Sequence, residues 1–144
     1  MLEDRFASGR SQFADHPPER IEPTAKIYVR VRIADLPEVQ LAQLDTGAAW
    51  SILSKKEIAA AIGAVEETGE RVTMSSRFGV HQGYLVRLPV TFIAEAGESL
   101  VTDGTFFVSN DWPLDLTFLG YSGLLDSIRF ALDPQANHFY FGSS

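Results

Sequence analysis

The sequence predicts a mostly β chain carrying one or two short helices, and three observations support that expectation. Ile27, Val29, Val31 and Ile33 alternate with Tyr28, Arg30 and Arg32, the period-two pattern of a half-buried strand. The long stretch from Arg71 to Val108 keeps to strand-like runs interrupted only by glycine-bearing stretches. Helix signals, by contrast, are concentrated in one place. Ser54-Lys55-Lys56-Glu57 reads as a capping box in which Ser54 and Glu57 each satisfy a free backbone donor. Ile58, Ala59, Ala61 and Ile62 follow it, and Gly63 is placed to stop the helix.

Taken in order, residues 1–24 read as a loose, flexible N-terminal arm. They are polar, contain Pro17-Pro18 and Pro23, and show no sustained period, with Phe6 and Phe13 available to pin the arm to a surface. Residues 25–144 make up the domain. After the first strand, Asp35-Leu36-Pro37-Glu38 breaks the chain and Val39 to Leu44 supplies a second strand, completing a hairpin. Ile52 and Leu53 extend the chain beyond Asp45-Thr46-Gly47. Past the helix, Val72 to Phe78 and Tyr84 to Ile93 pair across a glycine-bracketed tip, Gly79-Val80-His81-Gln82-Gly83. Leu100 to Val108 predicts a further hairpin with Asp103-Gly104 as its turn. Leu116 to Leu119 forms a short apolar strand ending at Gly120, and Leu124, Leu125 and Ile128 have helical spacing. Arg129 to Asp133 and His138 to Phe141 flank a Pro-Gln-Ala-Asn turn and close the chain as a hairpin.

Bulk properties narrow the function classes. At 144 residues, with 45% hydrophobic and 22% charged residues, the chain is one domain able to bury a core. It has no cysteine, which excludes disulfides and thiolate metal sites and suits a reducing, cytoplasmic setting, the default expectation for its compartment. A net charge of −7 and a pI near 4.8 repel phosphate backbones, so nucleic acid is not an expected partner. The apolar runs are too short to span a bilayer, and Met1-Leu2-Glu3-Asp4-Arg5 lacks the apolar stretch of a signal peptide, so no membrane association is expected.

The segment that carries chemistry is Leu41-Ala42-Gln43-Leu44-Asp45-Thr46-Gly47-Ala48-Ala49-Trp50-Ser51. An apolar strand delivers the aspartate, Gly47 permits a tight backbone path beside it, and the small Ala48 leaves room for close approach. A carboxylate that activates water has to be held at the floor of a partly dry cleft by fixed neighbours, and Thr46 is placed to hydrogen-bond within the loop.

At these residues the chain resembles retropepsin-like aspartic proteases, and a second anchor strengthens the resemblance. Phe118-Leu119-Gly120-Tyr121-Ser122-Gly123-Leu124-Leu125 is similar to that family's segment of two apolar residues and a glycine followed by a short helix. Between the anchors lies the hairpin of residues 72–93, where the family has its flap. The order hairpin, Asp-Thr-Gly, flap, apolar-Gly, helix matches over roughly residues 26–141. The closing hairpin 129–141 looks closer to cellular and bacterial members, including the DNA-damage-inducible type, than to short viral enzymes.

The resemblance implies a retropepsin-like acid-protease barrel with a flap hairpin and an aspartic endopeptidase acting on a peptide or protein substrate. Asp45 corresponds to the catalytic aspartate, with Thr46, Gly47 and Ala48 as loop support and Ala49, Trp50, Phe78, Gly79 and Phe118 as substrate-binding residues. The chain offers one such loop while the chemistry needs two carboxylates, so a homodimer is implied, with no metal and no cofactor. Departures from the family pattern are also evident. Viral members commonly carry acidic residues where Ala49 and Trp50 stand and a basic residue where Tyr121 stands, and cellular members often have an aspartate in place of Ser122. The dimer must therefore be braced differently, and Trp50 favours apolar peptide side chains.

Blander readings stand beside these. Asp45-Thr46-Gly47 is also the composition of an ordinary strand-ending turn. Arg77 and His81 read as solvated tip residues. Gly120-Tyr121-Ser122-Gly123 sits like a hydrolase elbow, but its second glycine falls one place early and nothing sets His138 beside it. His16, His81 and His138 are too scattered for a metal site. Two alternatives to the peptidase remain: a catalytically silent dimeric peptide-binding module with the same fold, and a monomeric barrel that binds a small ligand.

Overall fold

The computed structural model describes residues 6–16, 24, 26–54, 70–76 and 78–144. Within them the alternating segments become eleven strands: β1 (Gly9–Gln12), β2 (Tyr28–Ile33), β3 (Gln40–Leu44), β4 (Ser51–Ile52), β5 (Glu70–Ser76), β6 (Gly79–Phe92), β7 (Ala96–Gly97), β8 (Leu100–Val108), β9 (Phe118–Leu119), β10 (Ile128–Asp133) and β11 (His138–Ser143). The chain is mostly β, and one sheet runs in the order β2-β3-β9-β4-β8-β6-β5. β2 also pairs with β6, Val31 opposite Phe92 and Ile33 opposite Val90, which closes six strands into a barrel.

The period-two pattern of β2 has a direct structural meaning. Val29, Val31 and Ile33 are fully buried, whereas Arg30 between them is exposed and reaches Glu95 at 2.5 Å. β8 departs from that alternation: Phe106 and Phe107 point to opposite faces and both are fully buried, so both faces of this central strand are covered. A second sheet, in the order β10-β11-β1-β7, packs against the barrel through aromatic rings. The Phe92 ring lies 5.9 Å from Phe139 and 5.8 Å from Phe141, and these two lie 5.5 Å from each other. All three phenylalanines are essentially inaccessible to water, and each contributes about 1.5–3 kcal/mol of burial.

Four sequence expectations change. Gly9–Gln12, read as part of an arm, are a strand of the second sheet, and Ala14 bridges to Tyr28 in the barrel. β1 pairs with β11 from Gly9↔Phe141 to Gln12↔His138 and with β7 on its other edge, and Phe13 is buried. The strand Gly9-Arg10-Ser11-Gln12 has no apolar alternation because backbone pairing, not side-chain burial, places it.

The tip of the β5–β6 hairpin is not the segment 79–83. Ser76 pairs with Gly79, so the turn falls between them, and Gly79 to Gly83 run inside β6 opposite Val72 to Ser76. His81 is consequently buried instead of solvated. Arg77 lies outside the described residues.

Asp103-Gly104 is not a turn either. β8 passes straight through it, pairing with β6 from Phe92↔Leu100 to Tyr84↔Val108. Gly104 leaves space for the core there, since a side chain would sit about 3 Å from Phe106 and Leu124. Finally, the helical spacing at Leu124, Leu125 and Ile128 yields a single 3-10 turn over Leu125–Ser127, after which the chain is extended. The helix expected from Ser54 to Gly63 falls, after Ser54, outside the described residues. The predicted hairpins 27–44 and 129–141 are both present, with Tyr28↔Gln43 and Asp133↔His138 among their pairs. No helix among the described residues is long and apolar enough to cross a membrane.

Candidate active site

The strand order around Asp45 fixes its position. β9 lies between β3 and β4: Gln43↔Phe118 and Leu44↔Leu119 pair in parallel, and Ile52↔Phe118 pairs antiparallel. The chain from Leu44 to Ser51 therefore has to arch over the end of β9. The two segments are hydrogen-bonded where they meet. Asp45 N–H donates to Leu119 O at 2.9 Å, while Tyr121 N–H donates to Ala48 O and Ser122 N–H to Ala49 O, each at 2.9 Å. Gly120 N–H donates to the buried Ser51 hydroxyl at 2.8 Å. Within the loop, Gly47 N–H donates to Asp45 Oδ1 at 3.1 Å and Ala48 N–H to Asp45 O at 3.2 Å, a turn that orients the carboxylate through its own backbone.

This crossing explains the glycine of the second anchor. A side chain at position 120 would begin 2.3 Å from the carbonyl carbon of Trp50 and 2.7 Å from Ser51 N, so only glycine lets the two segments touch. The motif at 45–47 and the motif at 118–120 are two halves of one construction.

Asp45 opens on a cleft of about 500 Å³. Gly47, Ala48, Ala49 and Trp50 form its loop side, Ile52 and Phe118 its floor, and Met74, Ser75, Ser76 and Phe78 descend from the β5–β6 hairpin on the far side. Of the residues singled out in the sequence, Asp45, Gly47, Ala48, Ala49, Trp50, Phe78 and Phe118 meet at this cleft. Trp50 is half-buried and lies on the cleft wall outside the core cluster. Thr46 and Gly79 do not line it. Thr46 is exposed, and Gly79 sits beyond the turn with φ +114°.

Several cleft residues were not found from sequence, the most consequential being Trp112. It is 3% exposed and meets three rings edge-on: Phe78 at 6.1 Å, Phe118 at 6.2 Å and His81 at 5.4 Å. It thus connects the hairpin turn to the floor. The only signal available was a tryptophan in the unpatterned stretch Asn110-Asp111-Trp112-Pro113. Lys26 and Gln43 also line the cleft near Asp45. Among the described residues, the buried Gln43 Oε1 and the buried Trp112 Nε1 have no hydrogen-bond partner.

Behind Trp112, His81 Nδ1 stands 3.4 Å from Asp111 Oδ1. The Ser109 hydroxyl donates to that carboxylate and, with His81 as a lesser contributor, holds the Asp111 carboxyl below the usual range. Ser122, the serine of the elbow-like stretch, is exposed, and His138 lies on β11 in the other sheet with its ring against Tyr140. Among the described residues no three His, Asp or Glu side chains stand together in a way that holds a metal ion.

No family model matches the chain, and no curated protein matches its sequence. Among solved structures it is similar to a retropepsin-like aspartic protease from Rickettsia conorii, with a TM-score of 0.56 at 18% identity, over 92% of this chain and 98% of that one. The retroviral protease-like domain of Ddi1 from Leishmania major gives a TM-score of 0.48 at 18% identity, over 84% of this chain and 95% of that domain. The first similarity together with the closed six-strand barrel establishes that the chain has a retropepsin-like fold.

Proposed function

We propose that the chain is an aspartic endopeptidase that works as a homodimer, with Asp45 of each copy contributing to one shared catalytic pair. The observation that carries the reading is the position of Asp45. It lies on a loop locked to residues 119–122 by hydrogen bonds, at the foot of a cleft overhung by the β5–β6 hairpin. One copy supplies one such carboxylate, and a two-fold axis supplies the second.

Two like charges brought close cannot both ionise cheaply, so the pair holds one proton between its members. The ionised member takes a proton from a water molecule as its oxygen attacks the scissile carbonyl carbon. The protonated member donates to the carbonyl oxygen, where charge develops. Collapse of the tetrahedral intermediate breaks the C–N bond: the proton taken from water passes to the departing amine, and one hydroxyl proton of the intermediate returns to the other carboxylate, which leaves a carboxylic acid and restores the singly protonated pair. Neither a metal nor an organic cofactor takes part in this sequence.

The β5–β6 hairpin acts in this reading as the flap, and the substrate binds extended, by backbone hydrogen bonds of the strand-addition kind. The apolar walls supplied by Trp50, Ile52, Met74, Trp112 and Phe118 suit apolar peptide side chains. The decisive variant is Asp45→Asn, tested on a diverse peptide library across acidic and neutral pH. Products that vanish in the variant, with fold and dimer retained, support the peptidase. Undiminished cleavage by the variant refutes it. If the wild type binds peptides and never cleaves them, the silent peptide-binding module is the better description.

A further inference from the structure

The cleft wall is largely apolar, and its polar side chains include Lys26 and Gln43. Both are placed by the β2–β3 ladder. Tyr28 pairs with Gln43, and Leu44 N–H donates to Ile27 O at 2.8 Å, so the antiparallel register runs on past the end of β2. The same count sets Lys26 level with Asp45. Opposed residues share a face, as do residues two apart on one strand, so Lys26, Gln43 and Asp45 point to the same side. That all three line one cleft agrees with this register. The Lys26 backbone is held in turn by its N–H, which donates to Thr24 Oγ1 at 3.1 Å.

Lys26 brings a charge that its surroundings leave unpaired. It is exposed, and among the described residues its ammonium has neither an ion-pair nor a hydrogen-bond partner. Asp45 is the only acidic side chain among the described residues that line the cleft, and no ion pair joins it to Lys26. The loop beyond it, Ala48-Ala49-Trp50, offers no carboxylate. Gln43 adds a second unengaged group: it is buried, and its side-chain amide makes no hydrogen bond to a described residue. Its Oε1 is the enclosed end, which leaves the NH2 to donate. A cation and an N–H donor on one face suit the same ligand group, a carboxylate.

We propose that Lys26 is a specificity-determining residue that receives the carboxylate of an acidic side chain flanking the scissile bond, with Gln43 as a second donor. The substrate is then a peptide with aspartate or glutamate at that place and apolar residues around it. The inference rests on the peptidase reading and names its substrate class. Because Lys26 stands level with Asp45, the group it meets belongs to a residue next to the reacting carbonyl, not to a distant one. On a two-fold axis each copy brings one Lys26, so the preference extends to both sides of the scissile bond. A charge at such a position discriminates more than it binds, because it also penalises a like charge. Lysine or arginine beside the scissile bond is therefore disfavoured.

Cleavage of peptides that differ at one flanking residue tests it, at a pH of about 5.5, where a peptide glutamate with its ordinary pKa of about 4.3 is ionised. Each peptide carries glutamate, glutamine or lysine at that residue, and each is made with a free and with an amidated C-terminus. The wild type should cleave the glutamate peptide about five-fold better than the glutamine one in kcat/KM, and the lysine peptide worst, in amidated peptides as well. Lys26→Met should bring glutamate and glutamine level, and Lys26→Glu should invert the order to favour lysine. Ratios are taken within each variant, so a general loss of activity does not blur them, and Lys26→Met suffices if the reversal fails to fold. A wild type indifferent to the three residues, variants that keep its order, or a gain that follows the free C-terminus instead of the glutamate overturns the role of Lys26 and leaves the peptidase reading standing. If no peptide is cleaved, the peptidase reading fails. The same series titrated against the protein's tryptophan fluorescence then decides on Lys26: affinities in the order given support it, and equal affinities overturn it.

Discussion

At the scale of single residues, the site depends on groups whose positions are overdetermined. Gly120 is one. Its backbone passes so close to Trp50 and Ser51 that a methyl group has nowhere to go. Gly120→Ala should cost about 1–3 kcal/mol, the range of overpacked positions, in a urea titration. It should also lower turnover beyond what lost folding explains, because it pushes on the loop that holds Asp45. Unchanged turnover in the folded fraction would mean that the crossing does not position the carboxylate.

Trp112 makes a second residue-scale prediction. The chain has two tryptophans, Trp50 and Trp112, and both line the cleft. Binding of an apolar peptide should therefore shift the intrinsic fluorescence. Trp112→Ala should raise KM about ten-fold, as expected for one apolar contact of this kind, while Trp112→Phe retains most of the ring packing. Asp111 offers a proton-linked test. Its carboxyl is held low by the Ser109 hydroxyl and then by His81, so this contribution to stability is present above the unfolded-state pKa and is lost as pH falls through the folded one. Ser109→Ala should move the Asp111 titration upward, toward an ordinary carboxylate, when followed by NMR. No movement would place the cause elsewhere.

Elements differ in how much of themselves they show in sequence. β2 was legible because one face of it is buried, and burial writes a period of two into the residues. The closing hairpin was legible from its turn residues, and Asn137 adopts the positive φ of 55° that such a turn calls for. β1 was illegible for the opposite reason. Its place is set by backbone partners on both edges that are distant in sequence, and Gly-Arg-Ser-Gln carries no trace of them. The misplaced turns at 79–83 and at Asp103-Gly104 share one cause. Glycine marks turns and also close approaches within strands, and composition alone does not separate the two. The candidate site divides along the same line. Asp45 and Phe118 sit in strings with recognisable order, whereas Trp112 reaches the cleft only through tertiary packing against Phe78 and Phe118.

On the scale of the whole molecule, two sheets share one aromatic junction at Phe92, Phe139 and Phe141. Phe92→Ala should destabilise the chain by about 3–5 kcal/mol, the usual range for an emptied phenylalanine site. A much smaller loss would mean that the barrel and the second sheet hold together independently of this contact. The junction also ties the second sheet to the barrel that carries Asp45. The central claim is that the active unit takes Asp45 from two chains. Its most direct test is peptide cleavage by wild type mixed with increasing Asp45→Asn at fixed total protein, after the subunits have exchanged. If each active unit needs both carboxylates, activity falls as the square of the wild-type fraction. A strictly linear fall would show that each chain works alone, and would contradict the account.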